Sequence, residues 1–228
     1  MLNNFTLIIL TYNRYNILLR ALEFYLSFKL QFKILILDSS TMSQTDNIKS
    51  ILTDNKNLQI IKFPNTIKVF NKIEQGIAYV HSEYCAVSAD DDFLLPSTFK
   101  KYLKFLKNNT DYSSVHGLYF SHKKINVQNK NYINYNSLYN KKAKSNDGPD
   151  QFERIKKYLN SDVSYYPVYA ISKLEYLKII IRNTNKYSIN THFDEFLVMP
   201  VHNNKELFSI FLMLLADKLI FFTTVLCL

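Results

Sequence analysis

Along the first hundred residues, apolar positions follow two patterns that take turns. Phe5 to Leu10 is an unbroken apolar and β-branched run, and Lys33 to Leu37, Leu58 to Lys62 and Tyr84 to Ala89 are similar. Short runs of this kind predict strands buried on both faces. Between them apolar residues recur at helical spacing, at Ile17, Leu18, Ala21, Leu22, Tyr25 and Leu26, and again at Val69, Ile73, Ile77 and Val80. Each set makes one apolar stripe on a helix. A weaker helix is predicted over Gln44 to Thr53, and Pro96-Ser97 opens another that runs to about Lys107. Strand and helix alternate, which calls for an α/β fold with a mostly parallel sheet flanked by helices. Ligands bind such sheets beyond the carboxyl ends of the strands. Thr11 to Arg14, Asp38 to Ser40 and Asp90 to Asp92 all sit at such ends and are expected to converge on one cleft.

Further on the pattern changes. Lys123 to Pro149 is dominated by Asn, Lys and Tyr and keeps no apolar period, so a long mobile loop is expected. It is either a solvated excursion or a lid that turns Lys123, Lys124, Lys130 and Lys141 toward an anionic ligand. Order is expected to resume with a helix over Gln151 to Leu159, a strand over Tyr165 to Ile171 and a helix over Leu174 to Ile181. Leu207 to Leu228 is almost wholly apolar and long enough to span a bilayer. Asp217 and Lys218 fall near its centre, where charge is costly, so a packed terminal helix or a membrane-surface element is expected instead. The chain thus divides into one domain over 1–200, in halves 1–106 and 107–200, and an apolar segment over 201–228.

With 228 residues the chain can bury one substantial core. Its net charge of +9 suits an anionic partner, though lysines dispersed through a Lys-rich chain would give the same total. Gly76, Gly117 and Gly148 are the three glycines, and they build neither a P-loop nor a G-x-G-x-x-G fingerprint. Any phosphate is therefore held by metal, by Lys or Arg, or by helix ends. Cys85 and Cys227 form no metal or redox pair, and Cys85, inside an apolar strand, is expected to be an inert core residue. The opening Met1-Leu2-Asn3-Asn4-Phe5 lacks the features of a secretory signal, so a cytoplasmic location is expected.

Three aspartates, Asp90-Asp91-Asp92, close the fourth strand. Carboxylates so close repel one another unless a cation offsets them. A divalent metal with oxygen ligands does this, and such ions commonly carry substrate phosphates. The competing reading is a solvated turn whose acids favour the N-terminus of the next helix.

Phe5 to Arg14 resembles the opening strand and donor-contacting turn of family 2-like glycosyltransferases with the GT-A fold. Leu35 to Ser40 resembles their second strand with its nucleotide-contacting acid, although Ser39-Ser40 stands where a Gly-Ser pair is common. Gln75-Gly76-Ile77-Ala78 through Asp90-Asp91-Asp92 to Pro96 is similar to their helix, strand and metal-binding D-x-D segment. The similarity covers roughly residues 5 to 106, then thins to His192 to Leu197, which looks like the region supplying the catalytic base.

That resemblance implies a GT-A-like fold and transfer of a sugar from a nucleotide-diphosphate donor to a glycan or glycolipid acceptor, such as a bacterial surface polysaccharide. Residues 1–106 would form the donor half and 107–200 the acceptor half. Mg²⁺ or Mn²⁺ would be held by Asp90 and Asp92 with Asp91 between them, or, aligned on Pro96, by Asp90 and Asp91. Replacing Asp90 and Asp92 is then expected to abolish metal-dependent nucleotide binding and leave stability nearly unchanged. Asp38 would contact the base or ribose, Tyr12 would stack on the base, and Arg14 would pair with phosphate or brace Asp38. Thr11 belongs to the same nucleotide-binding turn, and Asp90 borders it. An inverting transfer needs a carboxylate base, and Asp194 is preferred to its neighbour Glu195. His202 is a candidate further metal or diphosphate contact, ahead of His81, His116 and His122. The expected location is cytoplasmic and peripheral at the inner membrane face through the C-terminal segment, with no nucleic-acid partner. Two other readings stand beside this one: a nucleotidyltransferase, and a non-catalytic binding or assembly module on the same fold.

Overall fold

The computed structural model describes residues 2–117, 120–127, 130–137, 145, 147, 149–160, 169–187 and 218–221. A short 3-10 turn (Leu2–Asn4) leads into β1 (Phe5–Thr11), α1 (Tyr15–Leu26), β2 (Lys33–Asp38), α2 (Asp46–Asp54) and β3 (Leu58–Lys62). Then come α3 (Val69–Ile77), β4 (Tyr84–Ala89), α4 (Pro96–Asn108), β5 (Tyr112–His116), β6 (Phe120–Val127) and β7 (Lys130–Ser137). The described elements end with α5 (Gln151–Leu159), β8 (Ile171–Lys173), α6 (Leu174–Tyr187) and β9 (Lys218–Phe221).

Seven of these strands form one sheet in the order β3-β2-β1-β4-β8-β5-β9. β2 and β4 flank β1 in parallel, with β3 parallel to β2, while β8 is antiparallel to both β4 and β5. This is the mostly parallel sheet that the alternation predicts. Every residue of β1 and of β4 is buried, as befits strands covered on both faces. Alternate side chains feed two separate cores. Phe5, Leu7 and Ile9 pack with Ile34, Ile36 and Ala86 beneath α1, α2 and α4. Ile8, Leu10, Leu35, Leu37, Cys85 and Val87 pack beneath α3 and α6. Each such aliphatic burial is worth about 1.5–3 kcal/mol, and a one-residue slip of β1 would exchange the two faces.

Cys85 is a free, fully buried thiol, as expected, and burial pushes its pKa up to about 12. Gly76 lets α3 lie close on β2, because a Cβ there would overlap the methyl groups of Leu37. That approach brings Lys72, one turn earlier on α3, over the ends of β1 and β2.

Three expectations are corrected. Much of the expected loop over Lys123 to Pro149 is instead the antiparallel hairpin β6–β7, in register from Phe120↔Ser137 to Val127↔Lys130. The stretch holds Ile125, Val127, Tyr132, Ile133 and Tyr135, β-branched and aromatic residues that favour strand despite the Asn and Lys around them. Of the strand expected over Tyr165 to Ile171, residues 165–168 lie outside the described residues, 169 and 170 are not strand, and Ile171 begins the short β8. The helix after it continues beyond Ile181 to Tyr187. In the apolar C-terminal segment, where a helix was expected, Lys218–Phe221 is an edge strand parallel to β5. Leu219-Ile220-Phe221-Phe222-Thr223-Thr224-Val225 is rich in β-formers, which explains that choice. Among the described residues no helix is long and apolar enough to cross a membrane.

Candidate functional site

The parallel register places the carboxyl ends of β1, β2 and β4 side by side. Thr11 is the partner of Asp38 across β1 and β2, and Leu10 is the partner of Ala89 across β1 and β4. The loops after all three strands therefore gather at one edge of the sheet.

The turn after β1 is shaped by Asn13, whose φ of 55° lies in the left-handed region that Asn tolerates better than most side chains. Its backbone N–H donates to Ser40 Oγ at 2.7 Å, and its Oδ1 accepts from Thr41 N at 2.9 Å and Met42 N at 3.3 Å. Asn13 thus ties the first turn to the loop after β2. Arg14, next in line, stands at the N-cap of α1 but makes no capping bond with its side chain. Its guanidinium crosses to β4 instead. Nη2 pairs with Asp90 Oδ1, and Nη1 donates to Asp91 Oδ2 at 3.1 Å. Arg14 was expected to pair with phosphate or to brace Asp38; it does not brace Asp38, and its partners here are Asp90 and Asp91.

Asp90 has no exposed surface, and its second oxygen accepts from Thr11 Oγ1 at 2.7 Å. Burial raises its pKa, the Thr11 bond and Arg14 work against that, and Asp91 adds to it; the balance stays above the ordinary carboxylate value. The raised pKa is itself a cost to the folded state at neutral pH, and the bonds to Thr11 and Arg14 oppose it. Removing Asp90 strips Thr11 Oγ1 and Arg14 of a partner, a loss of about 1–3 kcal/mol. Asp91 is half-exposed. Asp92 turns elsewhere: its Oδ2 accepts from the buried Tyr169 hydroxyl at 2.6 Å.

Asp38 is equally buried and has its own cation. Lys62 Nζ lies 2.6 Å from Oδ2, Tyr15 Oη donates to the same oxygen at 2.6 Å, and Ser40 N donates to Oδ1 at 2.8 Å. Burial pushes the Asp38 pKa up, but Lys62, Ser40 and Tyr15 outweigh it and hold the group ionised, below its usual value. Lys62 also bonds Tyr15 Oη at 2.6 Å.

Sequence reasoning missed Lys72. Only 3 % exposed, its ammonium donates to Thr11 O at 3.2 Å and Ser39 Oγ at 2.9 Å, between the ends of β1 and β2. Burial lowers its pKa from 10.5 to about 8, against the opposing pull of Asp38 and Asp90. The cue was available: Lys72 lies on the same helix face as Val69, Ile73 and Gly76, where an apolar residue belongs. Asn13 and Lys62 were missed as well.

Thr11, Arg14, Asp38, Asp90 and Asp91 are thus brought together, with Tyr12 half-exposed in the same turn. Asp194, Glu195 and His202 lie outside the described residues, as does Lys141, and the side chains of Lys123, Lys124 and Lys130 on the hairpin are not described. His116 is buried on β5 with its ring nitrogen against the Gly117 carbonyl, a structural setting. Among the described residues no three His, Cys, Asp or Glu side chains form a metal-ligand group. Among the described residues, Asp90 and Asp91 are the two neighbouring carboxylates a metal could use, and their oxygens share one cation, Arg14. That donor set fits Mg²⁺ or Mn²⁺ when phosphate oxygens complete the shell.

A doubly covered α/β sheet with this strand order, and a charged cleft at its strand ends, is that of the GT-A-like transferases. The sequence matches the family model described as glycosyl transferase family 2 over residues 6–171, and the chain belongs to that family. None of the curated proteins matches the chain. Among solved structures, Staphylococcus aureus TarS 1-349 is similar at 15% identity, over 96% of this chain and 57% of that one, with a TM-score of 0.56. The same protein in complex with UDP aligns at 16% identity over 96% of this chain and 60% of that one, with a TM-score of 0.58. The 4-diphosphocytidyl-2C-methyl-D-erythritol synthase of Anaerococcus prevotii DSM 20548 aligns at 13% identity over 97% of this chain and 89% of that one, with a TM-score of 0.55. At such identities the likeness is one of fold. The chain spans less than two thirds of the length of the TarS structures.

Proposed function

We propose that this chain is a nucleotide-sugar-dependent glycosyltransferase, which moves a sugar from a nucleotide-diphosphate donor to a glycan or glycolipid acceptor with inversion. The observation that carries the reading is the linked set of Arg14, Asp90 and Asp91 on one side of Lys72, with Lys62 and Asp38 on the other. Membership of family 2 supports it, and so does the fold shared with a protein solved with UDP.

In this reading Asp38, ionised and buried, accepts hydrogen bonds from the nucleoside, and the exposed Tyr12 ring stacks on the base. Lys62 and Tyr15 hold Asp38 in place, and Lys72 keeps a fixed positive charge at the cleft floor. Asp90 and Asp91 would hold Mg²⁺ or Mn²⁺, which when bound neutralises charge developing on the departing diphosphate. Asp92, aimed at Tyr169, keeps the loop after β4 in position. Asp194, or failing that Glu195, takes the proton of the attacking acceptor hydroxyl on the face opposite the leaving group. The acceptor reaches the cleft at a cytoplasmic membrane face, with the C-terminal segment as a peripheral contact.

A nucleotidyltransferase is the second reading, because the Anaerococcus synthase shares the fold. The glycine-free turn Thr11-Tyr12-Asn13-Arg14 speaks against it, since attack on a nucleoside triphosphate calls for a Gly-rich, basic loop there. Calorimetry with UDP, GDP and CMP, and with the nucleoside triphosphates, each with and without Mn²⁺, separates the readings. Metal-dependent binding of a nucleoside diphosphate supports the transferase. Binding of a triphosphate alone favours the nucleotidyltransferase, and no binding at all favours an assembly module.

A further inference from the structure

We propose that Arg14 is a built-in counter-cation that closes the Asp90–Asp91 pair to a free divalent ion and yields it when a nucleotide diphosphate arrives. The inference rests on the metal reading of the cleft given above and assigns a residue to its control.

Three observations carry it. Arg14 occupies the N-cap of α1 without capping it, so its side chain is free to reach elsewhere. Its two terminal nitrogens engage two different carboxylates, one fully buried and one half-exposed, placing the guanidinium where their oxygens converge. Among the described residues, the other two cations at these strand ends are held by partners of their own. Lys62 is held by Asp38 and Tyr15, and Lys72 by Thr11 O and Ser39 Oγ.

A dication approaching this pair alone must displace the guanidinium from both carboxylates, and like charges meet meanwhile. A diphosphate changes the balance. Its oxygens accept the planar fork of an arginine bidentately, so Arg14 gains a partner as the carboxylates are released. At 43 % side-chain exposure Arg14 has room to turn. Metal and nucleotide should then bind with positive coupling that passes through this one side chain.

The test is Mn²⁺ binding, read as free Mn²⁺ by electron paramagnetic resonance, to the full chain as wild type, Arg14→Gln and Arg14→Lys, with and without UDP. Wild type should bind Mn²⁺ weakly alone and about tenfold or more tightly with UDP, a coupling of ordinary allosteric size. Arg14→Gln should bind Mn²⁺ alone about tenfold more tightly than wild type, and UDP should add less. Arg14→Lys keeps the charge but not the two-pronged geometry and should fall between; it carries the test if melting curves show that the Gln variant does not fold. Arg14→Gln binding Mn²⁺ alone no better than wild type, or keeping the full UDP enhancement, overturns the role of Arg14 while leaving the metal site standing. Failure of wild type to bind Mn²⁺ with UDP present overturns the metal reading itself, and the proposal with it.

Discussion

Replacing Lys72 with Met should make the protein more stable at neutral pH while weakening donor binding. Met keeps the length and the apolar stem, and removes an ammonium that is 3 % exposed. The pKa of that ammonium falls from 10.5 to about 8 on folding. At 1.36 kcal/mol per pH unit, the gap corresponds to roughly 3 kcal/mol spent on keeping the charge buried. The sign follows from proton counts. Below about pH 8 the group is charged in both states and the cost is fully present. Between about 8 and 10.5 the unfolded chain holds a proton that the native one lacks, so stability rises with pH. Above that range the cost is gone.

Against the gain stand two lost hydrogen bonds, to Thr11 O and Ser39 Oγ, at about 1 kcal/mol each. Lys72→Met should therefore be about 1 kcal/mol more stable than wild type at pH 7 and about 2 kcal/mol less stable above pH 10.5. Urea denaturation of both proteins across that range measures the difference and cancels groups common to the two. A difference that stays constant with pH would refute the reasoning, because it would mean that Lys72 is not a buried charge. If UDP affinity falls while neutral-pH stability rises, the charge is retained for binding at the expense of the fold.

Asn13→Ala should cost about 2–3 kcal/mol by urea denaturation, from left-handed strain plus lost side-chain bonds, and Asn13→Gly, free of the strain, about half that. Asp91→Asn touches a half-exposed group, so its stability should move by less than about 0.5 kcal/mol, whereas Mn²⁺-dependent UDP binding by calorimetry should drop at least about tenfold. Asp194→Asn should lower turnover by about 100-fold or more with UDP affinity retained. Loss of activity in Glu195→Gln instead would transfer the role of base to Glu195.

How far the chain could be read depended on how local each signal was. The four buried strands and the helices between them are written in short-range periodicity, and their order alone requires a parallel sheet with one cleft at its strand ends. Thr11, Arg14, Asp38 and the three aspartates were placed by that rule. The hairpin β6–β7 was hidden by composition, since Asn and Lys mask the β-forming residues between them. β9 was hidden by length, since a long apolar run with no strict period reads as helix until a partner strand takes up part of it.

Which cation serves which carboxylate was beyond the reach of any local signal. Arg14 lies far along the chain from Asp90, and Lys62 is joined to Asp38 only because β3 pairs with β2 in the register Asp38↔Lys62. The choice is made by side-chain reach across a folded sheet. Lys72 is the instructive exception, because a lysine in an apolar stripe contradicts the pattern around it. Burying a charge is expensive, and a helix that does so at the carboxyl ends of two strands marks a place where local stability yields to function. Such a contradiction is legible in the amino-acid sequence itself, and it points to the site as directly as the aspartates do.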